Sequence, residues 1–149
     1  MIRFWIKNLL AIGLLAGSTS AFSQAESFNI ECKVSGTYLG RSMVTISDQP
    51  ILVTVDHKPP TTSVKVEGGG QLNVGTVNGQ PGEGKFSTEL IDVSLVSDSE
   101  SLSKTASVKI NRTTGFIEIF TTTNVKVTKS TSILKVSGFC QKASNKPKF

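Results

Sequence analysis

From Ser27 to Val34 the chain alternates without a break. Phe28, Ile30, Cys32 and Val34 fall on one side, and Asn29, Glu31 and Lys33 on the other. A period of two marks a half-buried strand, because successive side chains of an extended backbone point to opposite faces. The rhythm returns in Ile51, Val53 and Val55, then in Val64 and Val66, and Leu72 with Val74 begins a further short strand. Ala106, Val108 and Ile110 alternate with Ser107, Lys109 and Asn111, and Phe116 to Phe120 follows. Leu134, Val136, Gly138 and Cys140 close the series opposite Ile133, Lys135, Ser137 and Phe139.

Turn-forming residues punctuate these runs at Ser35-Gly36, Lys58-Pro59-Pro60, Gly68-Gly69-Gly70, Asn78-Gly79 through Gly84, and Asn111 to Gly115. His57, just before two prolines, reads as an exposed strand end. Phe86 to Val96 is longer and changes phase: Phe86 and Leu90 share one parity, Ile91, Val93 and Leu95 the other. One slip of phase inside a strand predicts a β-bulge or bend near Leu90-Ile91. No long stretch after residue 25 has the three-to-four spacing of a helix. The expectation is an all-β fold, a single antiparallel sandwich or small barrel of 7–9 strands.

The first residues follow a different pattern. Arg3 and Lys7 stand without an acid before the apolar run Leu9 to Ala16, and small and polar residues lead to Ser23-Gln24-Ala25. A basic start, a short apolar centre and a small-x-small end form a secretory signal peptide. The run falls short of the ~20 apolar residues that span a bilayer, so the chain is not expected to be membrane-spanning. Ser18 stands where a lipoprotein signal would carry cysteine. The expected organisation is a signal peptide over 1–25, cut after Ala25 or alternatively after Ala21. A single β domain over 26–149 follows, its last residues 143–149 forming a frayed tail, in the periplasm or secreted. Cleavage takes 25 of the 149 residues, and with Arg3 and Lys7 gone the formal charge falls from +5 to +3.

Export gives the two cysteines a meaning. Cys32 lies in the first expected strand and Cys140 in the last, 108 positions apart and both at inward parity. In an oxidising compartment such a pair is expected to bond rather than remain as two thiols. The bond requires Cα atoms within about 7 Å. First and last strands are therefore neighbours, or face one another across the core.

Candidate chemistry is sparse. Gly79 to Lys85 fits the glycine and lysine positions of a phosphate-binding loop, but Phe86 replaces the magnesium-binding hydroxyl and a strand follows instead of a helix. His57, the one histidine, lacks a nucleophile elbow, and Asp56 beside it points to the opposite face of a strand. Glu89/Asp92 and Asp98/Glu100 lack the aromatic platforms of a glycosidase, and Asp98-Ser99-Glu100 lacks the oxygen density of a calcium loop. No catalytic, cofactor or metal site is expected, and no cofactor. After Glu118 there is no acid, while Lys126, Lys129, Lys135, Lys142, Lys146 and Lys148 follow. Lys126, Lys129, Lys135 and Lys142 form a candidate patch for an anionic surface. Strand-edge protection is the alternative use of such lysines. Nucleic acid is not an expected partner, since interleaved arginines and stacking aromatics are lacking.

Ile110-Asn111-Arg112-Thr113-Thr114-Gly115, with Gly138-Phe139-Cys140 downstream and Cys32 upstream, resembles a loose group of small exported proteobacterial single-domain β proteins. Their shared features are an Arg-x-Thr-Gly turn between two strands and a closing Gly-x-Cys. The resemblance implies the architecture and carries no activity with it. The functional expectation is a non-enzymatic exported domain that binds another envelope or secreted protein or an anionic surface. The alternative is a periplasmic inhibitor of a hydrolase such as lysozyme or a protease, inserting loop 57–61, 78–85 or 111–115.

Overall fold

The computed structural model describes residues 24–79 and 85–142. The expected signal peptide up to residue 23, the glycine-rich 80–84 and the expected tail 143–149 lie outside the described residues. The alternating segments form strands β1 (Glu26–Leu39), β2 (Met43–Lys58), β3 (Thr61–Gly68), β4 (Gly75–Asn78), β5 (Lys85–Phe86), β6 (Leu90–Asp98), β7 (Leu102–Asn111), β8 (Phe116–Val125) and β9 (Ser130–Lys142). They make one antiparallel sheet in the order β4-β3-β2-β1-β9-β8-β7-β6-β5. Two meanders, β1 to β4 and β5 to β9, are thus hydrogen-bonded to each other along β1 and β9. Of the two architectures the pattern allows, the molecule takes the curled one. The sheet bends as a half-barrel until β4 packs against β6 and β7. Across that approach Lys104 Nζ of β7 donates 3.0 Å to the Val74 carbonyl before β4.

The concave face holds the core. Ten of the buried apolar residues are valine and six isoleucine, and Val53, Val55, Val64, Val66, Val93 and Val108 are wholly enclosed. Branching at Cβ favours the extended backbone, and short branched chains suit the narrow interior of a tightly curved sheet. Each such valine contributes roughly 1.5–3 kcal/mol by leaving water. Cys32 and Cys140 stand directly opposite each other across β1 and β9 and form the expected disulfide, S–S 2.04 Å, Cα–Cα 3.8 Å. First and last strands are neighbours.

Four local expectations are corrected. Ser35-Gly36 is no turn, because β1 continues to Leu39. A Cβ on Gly36 would lie 2.1 Å from the Lys135 carbonyl oxygen of β9, so the glycine serves a close strand approach. Opposite it β2 bulges: the register jumps between Val34/Gln49 and Gly36/Ile46. Asp48 there is left-handed at φ 49°, and its N–H donates to Ser35 Oγ at 2.8 Å. Leu72 and Val74 are buried, but they belong to a 3-10 turn over Gly70–Leu72 and the approach to β4. The phase slip before Ile91 is the bend of the two, and it divides the segment into two strands as the hairpin turn between β5 and β6 rather than bulging within one. Ser87 Oγ accepts from the N–H groups of Glu89 (3.2 Å) and Leu90 (2.9 Å), and Phe86 then pairs with Ile91. Finally, His57 is 6% exposed rather than open to solvent.

Candidate functional site

Antiparallel alternation sends the turns to one of two ends, except the β3–β4 connection, which opens beside Ile51 midway along β2. The lower end carries the start of β1, the turns β2–β3, β5–β6 and β7–β8, and the last residue of β9. The upper end carries the turns β1–β2, β6–β7 and β8–β9.

The lower end is organised by Arg112. Asn111 Oδ1 accepts from the N–H groups of Thr113 (3.0 Å) and Thr114 (2.9 Å), the local bonding that makes asparagine a turn former. Gly115 ends the turn in the left-handed region at φ 74°, and its carbonyl accepts from Cys140 N–H at 2.8 Å. This geometry turns Arg112 inward, where Nη2 donates to Glu26 Oε1 at 2.6 Å and Nη1 to the Ser87 carbonyl at 2.9 Å. The guanidinium lies 5.4 Å from the Phe28 ring centre and 5.1 Å from that of Phe86, within the range of cation–π attraction. Phe86 in turn stacks on His57 at 3.8 Å, and His57 Nδ1 shares a 2.8 Å hydrogen bond with Thr62 Oγ1. Four segments far apart in sequence are thereby fastened together. Beside them Glu26, Phe28, Asn29, Ile110, Arg112 and Gln141 help line an open cleft of about 680 Å³.

Arg112→Ala is expected to cost about 2 kcal/mol in urea unfolding, because it leaves a partly buried carboxylate and a carbonyl without their donor. Arg112→Lys is expected to recover less than half of that, since an ammonium lacks the planar fork that reaches both acceptors and the rings at once.

The four lysines are not one patch. Lys126 and Lys129 occupy the β8–β9 turn at the upper end, Lys135 stands on the outer wall opposite Phe120 and Thr37, and Lys142 ends β9 opposite Ile30. At ~3.3 Å per strand residue, Lys129 and Lys142 are on the order of 40 Å apart. Lys126 is also engaged, donating to Asp98 Oδ1 at 2.6 Å and to the Ser99 carbonyl at 2.7 Å. That hydrogen bond and the ammonium charge hold the Asp98 carboxyl below its ordinary value. An acid depressed in this way stabilises the fold above its unfolded pKa and loses that effect as pH falls through the folded one. The pair therefore acts at neutral pH and fades in acid. Lys126→Ala is expected to move the Asp98 titration upward, as followed by carboxyl NMR.

The upper end shows what the strand pattern missed. Six of the nine large hydrophobic side chains exposed among the described residues gather there: Leu39, Met43, Val44, Val96, Leu102 and Val127. Met43 is 70% and Val127 79% exposed. The other three, Leu52, Phe120 and Phe139, lie on the outer wall, with Phe139 meeting Phe116 edge-on at 5.4 Å. Leu39 pairs with Met43 on one side and with Ile133 on the other, so the β1–β2 and β8–β9 hairpins are neighbours, the β8–β9 turn reaching further along the sheet. Their signal in the sequence was apolar residues flanking Gly40-Arg41-Ser42 and Val127 between two lysines. Both sit where turns should be polar.

Among the described residues no group of three or more His, Cys, Asp or Glu could hold a metal ion, and no helix is long and apolar enough to cross a membrane. Asp56 pairs with Lys58 (3.1 Å) and Asp92 with Lys109 (4.0 Å), ordinary half-exposed surface pairs of little energetic weight. Comparison with protein-family models, with curated proteins and with solved structures finds no match for this chain.

Proposed function

We propose that this is a non-enzymatic, exported β domain that works by binding in the periplasm or outside the cell, with the upper end as its contact surface. The observation that carries the reading is the gathering of exposed apolar side chains at that end. Monomeric soluble proteins rarely leave such a cluster uncovered, and clusters of this kind mark interaction sites. Export draws support from the basic, apolar and small-residue order of residues 1–25 and from the disulfide, a bond of oxidising compartments. The resemblance around Arg112 to Gly115 is in keeping with it.

Cells producing the chain with a photo-crosslinking residue at position 43 or at position 52 test this directly. Fractionation should recover the protein from the periplasm or medium in a shortened form. Position 43 should yield adducts that position 52, on the outer wall, does not. Recovery in the cytoplasm, or equal adducts at both positions, would count against the proposal.

A second reading has one observation in its favour. The segments 57–61 and 111–115 meet at the lower end through His57, Phe86 and Arg112, as an inserting element of a hydrolase inhibitor would require. Unchanged lysozyme and secreted-protease activity in the presence of excess protein would exclude it.

A further inference from the structure

We infer that the upper end docks on an anionic phospholipid surface, inserting the β1–β2 and β8–β9 turns. The inference deepens the reading above and rests on it. Leu39, Met43, Val44 and Val127 are exposed at the ends of two neighbouring hairpins rather than on a flat wall. All four are aliphatic or thioether side chains. Protein–protein contacts lean on large aromatic anchors seated in complementary pockets, and among the described residues no aromatic side chain is one of the exposed large hydrophobics of this end. Flexible aliphatic tips need no shaped partner and gain equally from any hydrocarbon.

The same two turns carry Arg41 and Lys129, and among the described residues neither is joined to a carboxylate. Of the two acids in and beside the neighbouring β6–β7 turn, Asp98 is paired with Lys126, which leaves Arg41 and Lys129 against the single exposed Glu100. A cation beside apolar tips is the combination by which a peripheral protein adheres to a negatively charged leaflet, each element being too weak alone. Charge thus selects an anionic lipid surface over a neutral one.

Co-sedimentation of the full disulfide-bonded chain tests the inference. The probes are vesicles of phosphatidylethanolamine with phosphatidylglycerol, and vesicles of phosphatidylcholine alone. The chain should sediment with the first, less with the second, and be released by raised salt. Met43→Glu should weaken binding about tenfold or more, and Arg41→Glu roughly fivefold or more. Phe139→Ser, which removes an exposed ring from the outer wall, should bind as the natural chain does. Circular dichroism and thiol titration report that each variant keeps its strands and its disulfide. Equal sedimentation with both vesicle types, or undiminished binding by Met43→Glu, overturns the inference. If vesicles do not bind while position 43 still crosslinks to a protein in cells, the lipid inference falls and the contact-surface reading stands. If neither occurs, both fall.

Discussion

Replacing both cysteines, as Cys32→Ala with Cys140→Ala, is expected to lower the free energy of unfolding by about 4–5 kcal/mol. The bond spans 108 positions, and a cross-link of that length removes roughly 4.7 kcal/mol worth of chain entropy from the unfolded ensemble. Its position adds a second reason. β1 and β9 are the strands along which the two meanders are hydrogen-bonded, so the bond clamps the pairing on which the whole sheet depends. With m-values of about 1–3 kcal/mol/M in urea, the midpoint should fall by on the order of 2 M. Circular dichroism during urea titration of the oxidised, reduced and double-alanine chains measures it. Reduction should reproduce the substitution. A loss below about 1 kcal/mol would mean that the unfolded chain already keeps its ends together.

Gly138→Ala is expected to cost about 3 kcal/mol or more, or to prevent folding outright. A Cβ at Gly138 would lie 1.8 Å from the Lys33 carbonyl oxygen and 2.8 Å from the Val34 Cα. Both are backbone atoms of β1, so no side-chain rotation relieves the clash and the strands themselves must separate. Overpacking of a close-packed interior typically costs 1–3 kcal/mol, and displacement of a central strand pair belongs at or above the top of that range. Gly69→Ala is the matched control. A Cβ there meets nothing within 4 Å, and its backbone at φ −74° suits any residue. It should stay within about 0.5 kcal/mol of the natural chain. The two unfolding midpoints, measured side by side, separate strand approach from the general effect of losing a glycine.

These contrasts also show which parts of the molecule were legible in the sequence. Alternation identified β1 from Phe28 to Val34, and the inward parity of Cys32 and Cys140 made the disulfide a natural expectation. The Asn111 to Gly115 turn was readable because its hydrogen bonds are local. Residues 37–50 were not readable. The bulge at Asp48 moves the buried set from even positions such as Ile46 to odd positions such as Ile51, and a phase change erases periodicity. Gly36 was misread for a related reason, since its role lies in a neighbouring strand a hundred residues away. Burial of His57 depends on Phe86, and the inward turn of Arg112 on Glu26 and Phe28. No spacing rule connects such partners. The upper end escaped because an apolar residue near a strand end has the same pattern whether it is capped or bare. The Arg-x-Thr-Gly and Gly-x-Cys segments turn out to touch, through the Gly115 carbonyl and Cys140 N–H. Their joint occurrence has a mechanical reason and needs no shared chemistry.

Placing β1 at the centre of the sheet has a temporal consequence. The strand made first has its second neighbour in the strand made last, so a chain emerging end first must hold one flank of β1 open until residues 130–142 arrive. Pairings so distant along the chain assemble slowly, on the millisecond-to-second scale typical of all-β topologies. During that interval the bare flank of β1 is a template for any other extended segment, and the nascent molecule is at its most vulnerable to mispairing.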